Sequence, residues 1–118
     1  MESLGELERT ALEQLWDAPR PLAAADLRDA LAAAEERRDL ALTTVLTVLS
    51  RLEKKGFVHR DRAVRPHVYA PVKSRDDYVA ELMHDALGAA TDRAAALARF
   101  VGQASPDETA ALKRLLGP

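Results

Sequence analysis

The chain has 118 residues, 47% of them hydrophobic and 31% charged, a formal net charge of −2 and no cysteine. That size suits one compact domain or a small domain with an oligomerisation segment, and the lack of cysteine removes disulfides, thiolate metal sites and a cysteine nucleophile, fitting a reducing cytoplasm. The longest uncharged run, Leu40 to Ser50, falls short of the ~20 residues of a membrane span, and the opening MESLGELER has no secretory pattern.

Ser3 and Glu6 have the spacing of a capping box, and Leu4, Leu7, Ala11 and Leu15, widened by Leu12 and Trp16, follow one helical face as far as Pro19 and Pro21. Trp16, the only tryptophan, reads as a core residue on that face. A short second helix covers Ala24 to Ala34, with Leu27 and Leu31 four apart and Asp26 and Asp29 near its positive end. The charged run from Glu35 to Asp39 has no apolar period and reads as a connecting turn.

A third helix begins between Ala41 and Thr44, with a threonine as N-cap, and its buried stripe is Val45, Val48, Leu49 and Leu52 at i, i+3, i+4 and i+7. Gly56 stops it just beyond Lys54 and Lys55. Phe57 to Arg60 and His67 to Ala70 read as two short strands around the basic loop from Asp61 to Pro66, with Pro71 ending the second. Three helices followed by a basic hairpin predict a winged helix-turn-helix over residues 1–72.

From residue 73 to 118 the pattern is helical without strands. Ser74 with Asp77 caps a helix carrying Tyr78, Val79, Leu82, Met83, Ala86 and Leu87, and Asp92 opens another with Leu97, Phe100 and Val101. Ser105, Pro106 and Glu108 open a last one bearing Ala111, Leu112, Leu115 and Leu116. Short helices with wide apolar faces bury themselves poorly alone. A dimerisation region is therefore expected, with Tyr78, Leu82, Met83, Leu97, Phe100, Val101, Leu112, Leu115 and Leu116 at the interface. The whole is a mainly α fold with a small β-hairpin.

The charge is unevenly divided. Between Arg37 and Arg75 ten Lys/Arg stand against three acids, a local charge of +7 that leaves −9 for the rest. Such a block points to a polyanionic partner. Within it Thr44, Thr47, Arg51 and Lys54 lie opposite the apolar stripe of the third helix, widened by Thr43, Ser50 and Lys55. A helix fits the major groove, where threonine meets base edges or a thymine methyl and arginine grips guanine or a phosphate. Ordinary solvated helix faces carry glutamates and ion pairs, and only Glu53 is acidic here. Arg60, Arg62 and Arg65 around the hairpin tip are placed for phosphate or minor-groove contact, as in a wing.

The run TTVLTVLSRLEKKGFV, followed by RDRAVRPHVYAPV and preceded by LGELERTALEQLW, resembles the BlaI/MecI family of transcriptional repressors. The most specific part is met by Thr44, Val45, Thr47, Leu49, Arg51, Leu52, Lys55 and Gly56. The resemblance implies a homodimer on a palindromic operator, controlling β-lactam resistance or related stress genes, with Thr43, Thr44, Thr47 and Arg51 facing the groove and the wing on the backbone. It also implies, as a partner, a membrane sensor protease or its downstream signal. The best-known members are cut at an Asn-Phe bond in the C-terminal region, where this chain has Arg99-Phe100.

The glycines Gly5, Gly56, Gly88, Gly102 and Gly117 form no phosphate-cradling loop and no serine sits in a nucleophile elbow, so no enzyme and no cofactor are expected. A winged-helix regulator answering a metal or small molecule stays open as an alternative. The copper-responsive relatives carry a cysteine-rich tail, which is absent here, and only His59 and His67 could meet across the hairpin. A module whose basic surface binds an acidic protein also stays open, separable by the salt dependence of binding.

Overall fold

A computed structural model describes residues 4–34 and 39–117. Among these residues the chain forms six helices and three strands, in the order α1 (Glu6–Asp17), β1 (Leu22–Ala23), α2 (Ala24–Ala34), α3 (Leu42–Lys54), β2 (Val58–Asp61), β3 (Val68–Pro71), α4 (Arg75–Gly88), α5 (Arg93–Gly102) and α6 (Pro106–Leu116). The chain divides into two compact units, Met1–Val79 and Ala80–Pro118.

In the first unit α1, α2 and α3 pack around Leu12, Leu27, Leu31, Val45, Leu49 and Leu52, all almost wholly buried. Burial of each such leucine contributes roughly 1.5–3 kcal/mol. The expected stripe of α3 is the buried one. The sheet is antiparallel with strand order β1-β3-β2, and Tyr69 of β3 closes the core from the sheet side. Strand β1 is an addition to the expected two-stranded hairpin. Two residues behind Pro21 carry no alternation from which to read it; Leu22 and Ala23 are a strand only because Tyr69 and Val68 lie beside them.

Several boundaries differ from expectation for local reasons. The described N-cap of α1 is Gly5, whose N–H donates to Glu8 Oε1 at 2.9 Å, in place of a Ser3–Glu6 box. Ser3 itself lies outside the described residues, as does most of the turn expected at Glu35 to Asp39. Ala41, not a threonine, caps α3: the Thr44 and Val45 N–H groups both reach its carbonyl, at 3.0 and 3.2 Å. Thr43 and Thr44 are thereby inside the helix, with exposed side chains.

The exit from α3 is a Schellman turn, with Phe57 N–H bonded to the Leu52 carbonyl and Gly56 N–H to that of Glu53, and Gly56 at φ +85°. That turn occupies Phe57, so β2 begins one residue later than its pattern suggests. The Phe57 carbonyl still accepts from Val72 N–H at 2.9 Å beyond the ladder.

The first unit ends after Val79, later than the boundary expected at residue 72, because the opening of α4 is built into it. Ser74 Oγ accepts from Asp77 N–H, and Tyr78 is 6% exposed, its ring 5.4 Å from that of Trp16 and 5.6 Å from that of Phe57. Trp16 stands at the rim of the core rather than inside it. Its Nε1 donates to the Lys73 carbonyl, and Arg75 covers its ring while bonding to Asp17. In the second unit Asp92 caps α5 by accepting from Ala95 N–H. Ser105 and Glu108 form the expected reciprocal box on α6, with Pro106 in its first turn.

Candidate nucleic-acid interface

The buried stripe of α3 fixes which side chains it presents outward. Thr43, Thr47, Ser50 and Lys54, at i, i+4, i+7 and i+11, form the pole farthest from the core, and all are exposed. Thr44 and Arg51 lie on the flank toward α1; with Thr47 they line a hollow that includes Gly5, Glu6, Leu7 and Glu8. On the opposite flank Leu46, Thr47, Ser50 and Arg51 line another hollow, of about 400 Å³, with Arg60 and Tyr69 of the sheet. Thr47 and Arg51 border both hollows and so form the crest between them.

Thr47 is also oriented. Its Oγ1 donates to the Thr43 carbonyl at 2.9 Å, which commits the hydroxyl proton and leaves oxygen lone pairs and the γ-methyl facing outward. An acceptor of this kind matches the exocyclic amines of adenine or cytosine, and the methyl matches that of thymine.

The basic side chains named from sequence fall into three groups. Arg51 and Lys54 are exposed on α3 itself. Lys55 turns toward α1, with Nζ 3.1 Å from Glu8 Oε1 and 3.0 Å from Oε2, so it joins two helices instead of extending the polar pole. Burial pushes Glu8 up, but the Gly5 N–H, the Lys55 bond and the charges of Lys55 and Arg51 outweigh it and hold the carboxyl below its ordinary value.

The wing supplies the third group. Arg62 grips Glu53 through both terminal nitrogens, at 2.8 and 3.1 Å, and this bond holds the Glu53 carboxyl below its usual range. Arg65 donates to the carbonyls of Arg62 and Val64, at 2.6 and 3.2 Å, and Asp61 Oδ1 accepts from Ala63 N–H, so the loop is folded on itself. Arg60 lies over the Tyr69 ring and donates from Nε to His67 Nδ1. The acceptors of Arg60 and Arg65 are neutral, so these bonds leave their charge intact for an anionic ligand.

Four contributors lie outside the residues that the sequence singles out for DNA. Leu46 is exposed beside the polar pole, and Leu42 lies one turn before it; their offset from the Val45/Val48/Leu49/Leu52 stripe was the available signal. His67 and Tyr69 bear on Arg60 through cross-strand register, which no local pattern reveals. Conversely, Tyr78 is spent on Trp16 and Phe57 in the first unit, which removes it from the expected dimer set. Leu82, Met83, Leu97, Phe100, Val101, Leu115 and Leu116 are exposed, and Leu112 is half-buried. Arg99 and Phe100 sit inside α5, with Arg99 bonded to the Ala95 carbonyl at 3.3 Å.

His59 and His67 do not converge. The register pairs Arg60 with Tyr69 and His59 with Ala70, which puts His59 on one face of the sheet and His67 on the other. Among the described residues no group of histidines and carboxylates is arranged to hold a metal ion. Nor is any helix among them long and apolar enough to cross a membrane.

Compared with known proteins, the chain resembles a solved MarR family protein from Bacillus stearothermophilus at a TM-score of 0.53 and 19% identity, over 98% of this chain and 71% of that one. That likeness concerns the fold alone and agrees with the winged-helix arrangement. The transcriptional regulator BlaI of Mycobacterium tuberculosis, from strains CDC 1551 / Oshkosh and ATCC 25618 / H37Rv, is 49% identical over 116 residues, covering 96% of this chain and 82% of the relative. The penicillinase repressor family matches residues 4–117. With α3 presenting a polar pole beside a basic wing, and with that match running from α1 to the end of α6, the chain belongs to the penicillinase repressor family of transcriptional regulators.

Proposed function

We propose that the protein represses transcription as a homodimer on a two-fold symmetric operator, each subunit laying α3 in a major groove. Family membership makes it a DNA-binding repressor and not an enzyme. The observation that carries the finer reading is the crest of α3, where Thr47 and Arg51 stand between two hollows with the helix locked from behind by four buried side chains. In this reading Thr43, Thr47, Ser50 and Arg51 meet base edges, while Lys54 and Arg65 hold phosphates. Half-sites then lie about one helical turn, roughly 10 bp, or a multiple apart.

The apolar side chains left exposed on the second unit support dimerisation. Leu115 and Leu116 are 83% and 82% exposed, and Ala80, Met83, His84, Leu87, Leu97 and Phe100 border a groove of about 520 Å³ between α4 and α5. A repressor of this kind works where the chromosome is, in the cytoplasm. If a membrane sensor protease relieves repression at Arg99-Phe100, α5 has to unwind first, because that bond lies within its Arg93–Gly102 span.

Binding of wild type, Thr47→Ala and Arg51→Ala to a duplex selected by the wild-type protein, and to its scrambled version, tests the reading. Each substitution is expected to cost about 1–3 kcal/mol on the selected duplex and far less on the scrambled one. Unchanged discrimination in both variants would remove α3 from base reading.

A further inference from the structure

Arg60 is held beside α3 by a ring and an imidazole. Its partner across the ladder is Tyr69, only 2% exposed, and the guanidinium carbon lies 5.5 Å from the centre of that ring. Its Nε donates to His67 Nδ1 at 2.8 Å. The same guanidinium borders the hollow formed with Leu46, Thr47, Ser50 and Arg51. An arginine normally loses much rotamer freedom when it grips a ligand, and here the ring and the imidazole have already removed it. With Nε committed, the two terminal amino groups remain as the fork that matches guanine O6 and N7.

The acceptor at Nδ1 exists only while the imidazole is neutral. Protonation turns it into a donor facing another donor and adds a cation to a cluster that already holds Arg60, Arg62 and Arg65. The groups around His67 are those three arginines and Asp61, while Ala23, Ala24 and Ala25 and, from α3, Leu42 and Leu46 line the same hollow without charge. We propose that His67 is a positioning residue for sequence reading: neutral, it fixes Arg60 on Tyr69 as a guanine-reading fork beside α3, and protonated, it releases that fork. Partial desolvation and the Arg60, Arg65 and Arg62 charges push the imidazole below its usual range, against a smaller upward pull from Asp61. The fork is therefore set at neutral pH and lost on acidification. Loss of the fork costs discrimination, whereas the added charge favours any duplex, so specific and nonspecific affinity respond differently to pH.

This inference rests on the repressor reading above, and its test separates the two. Fluorescence anisotropy would follow full-length wild type, His67→Gln, His67→Phe and Arg60→Lys on a duplex selected by the wild type from a random pool and on its scrambled version, from about pH 7.5 to about pH 5. For wild type the ratio of selected to scrambled affinity is expected to fall roughly tenfold on acidification while scrambled affinity holds or rises. His67→Phe and Arg60→Lys should show the low ratio at every pH. His67→Gln, whose amide oxygen remains an acceptor, should restore the ratio that His67→Phe loses and make it independent of pH. Identical pH profiles for wild type and His67→Gln would overturn the proposal, and that comparison decides it even if His67→Phe folds poorly. Should wild type at about pH 7.5 show no preference for any duplex, the repressor reading itself would fall, a separate result.

Discussion

Arg62 and Glu53 form a two-point ion pair, 2.8 and 3.1 Å, that ties the wing to the last turn of α3. The side chains are 57% and 27% exposed, so the pair adds little stability. Its main effect is on charge: the only carboxylate on α3 neutralises a wing arginine.

Glu53→Gln should therefore strengthen binding to specific and scrambled duplexes alike. The slope of log affinity against log salt should steepen by about 0.9, one additional phosphate contact, with little change in melting temperature. Binding titrations across a salt series check this, and an unchanged slope would mean that Arg62 makes no phosphate contact.

Glu8 joins the start of α1 to Lys55 at the end of α3 and is 8% exposed. Glu8→Gln is expected to cost about 1–2 kcal/mol at neutral pH, since a charged hydrogen bond is lost while half-exposed Lys55 regains water. Because the folded-state carboxyl lies below its ordinary value, its stabilisation is complete above the unfolded-state value of about 4.3 and fades as pH falls through the folded one. Urea unfolding at several pH values should show the wild-type advantage shrinking toward pH ~3.

Tyr78→Ala should destabilise the first unit by about 3–5 kcal/mol, through loss of ring contacts with both Trp16 and Phe57. Tyr78→Phe keeps those contacts and should cost under about 1.5 kcal/mol. Tryptophan fluorescence during denaturation reports directly on this site, because Trp16 is the chain's only tryptophan.

Leu115→Asp with Leu116→Asp should shift the sedimentation profile from dimer to monomer while leaving helix content unchanged, because both side chains are solvent-exposed within the chain. A profile identical to wild type would count against a dimer contact at these two leucines.

The sequence by itself determined the helices and their inward faces. Val45, Val48, Leu49 and Leu52 repeat with the helical period, and Ser105, Pro106 and Glu108 carry their capping chemistry within four positions, so both could be read locally. It also determined that α3 carries a polar, basic second face, because burial of one side of a helix dictates the other. Tertiary structure decided what each charge on that face does. Lys55 and Lys54 are neighbours in sequence, yet one meets Glu8, 47 positions away, and the other faces solvent. Strand β1 exists only through its pairing with β3, Tyr78 was drawn into the first unit by two rings from distant segments, and the pose of Arg60 depends on His67 and Tyr69 across the ladder. Periodicity and capping act over a few residues and leave a signature in the chain; ion pairing, ring stacking and register depend on which segments meet, and that is set only when the core closes.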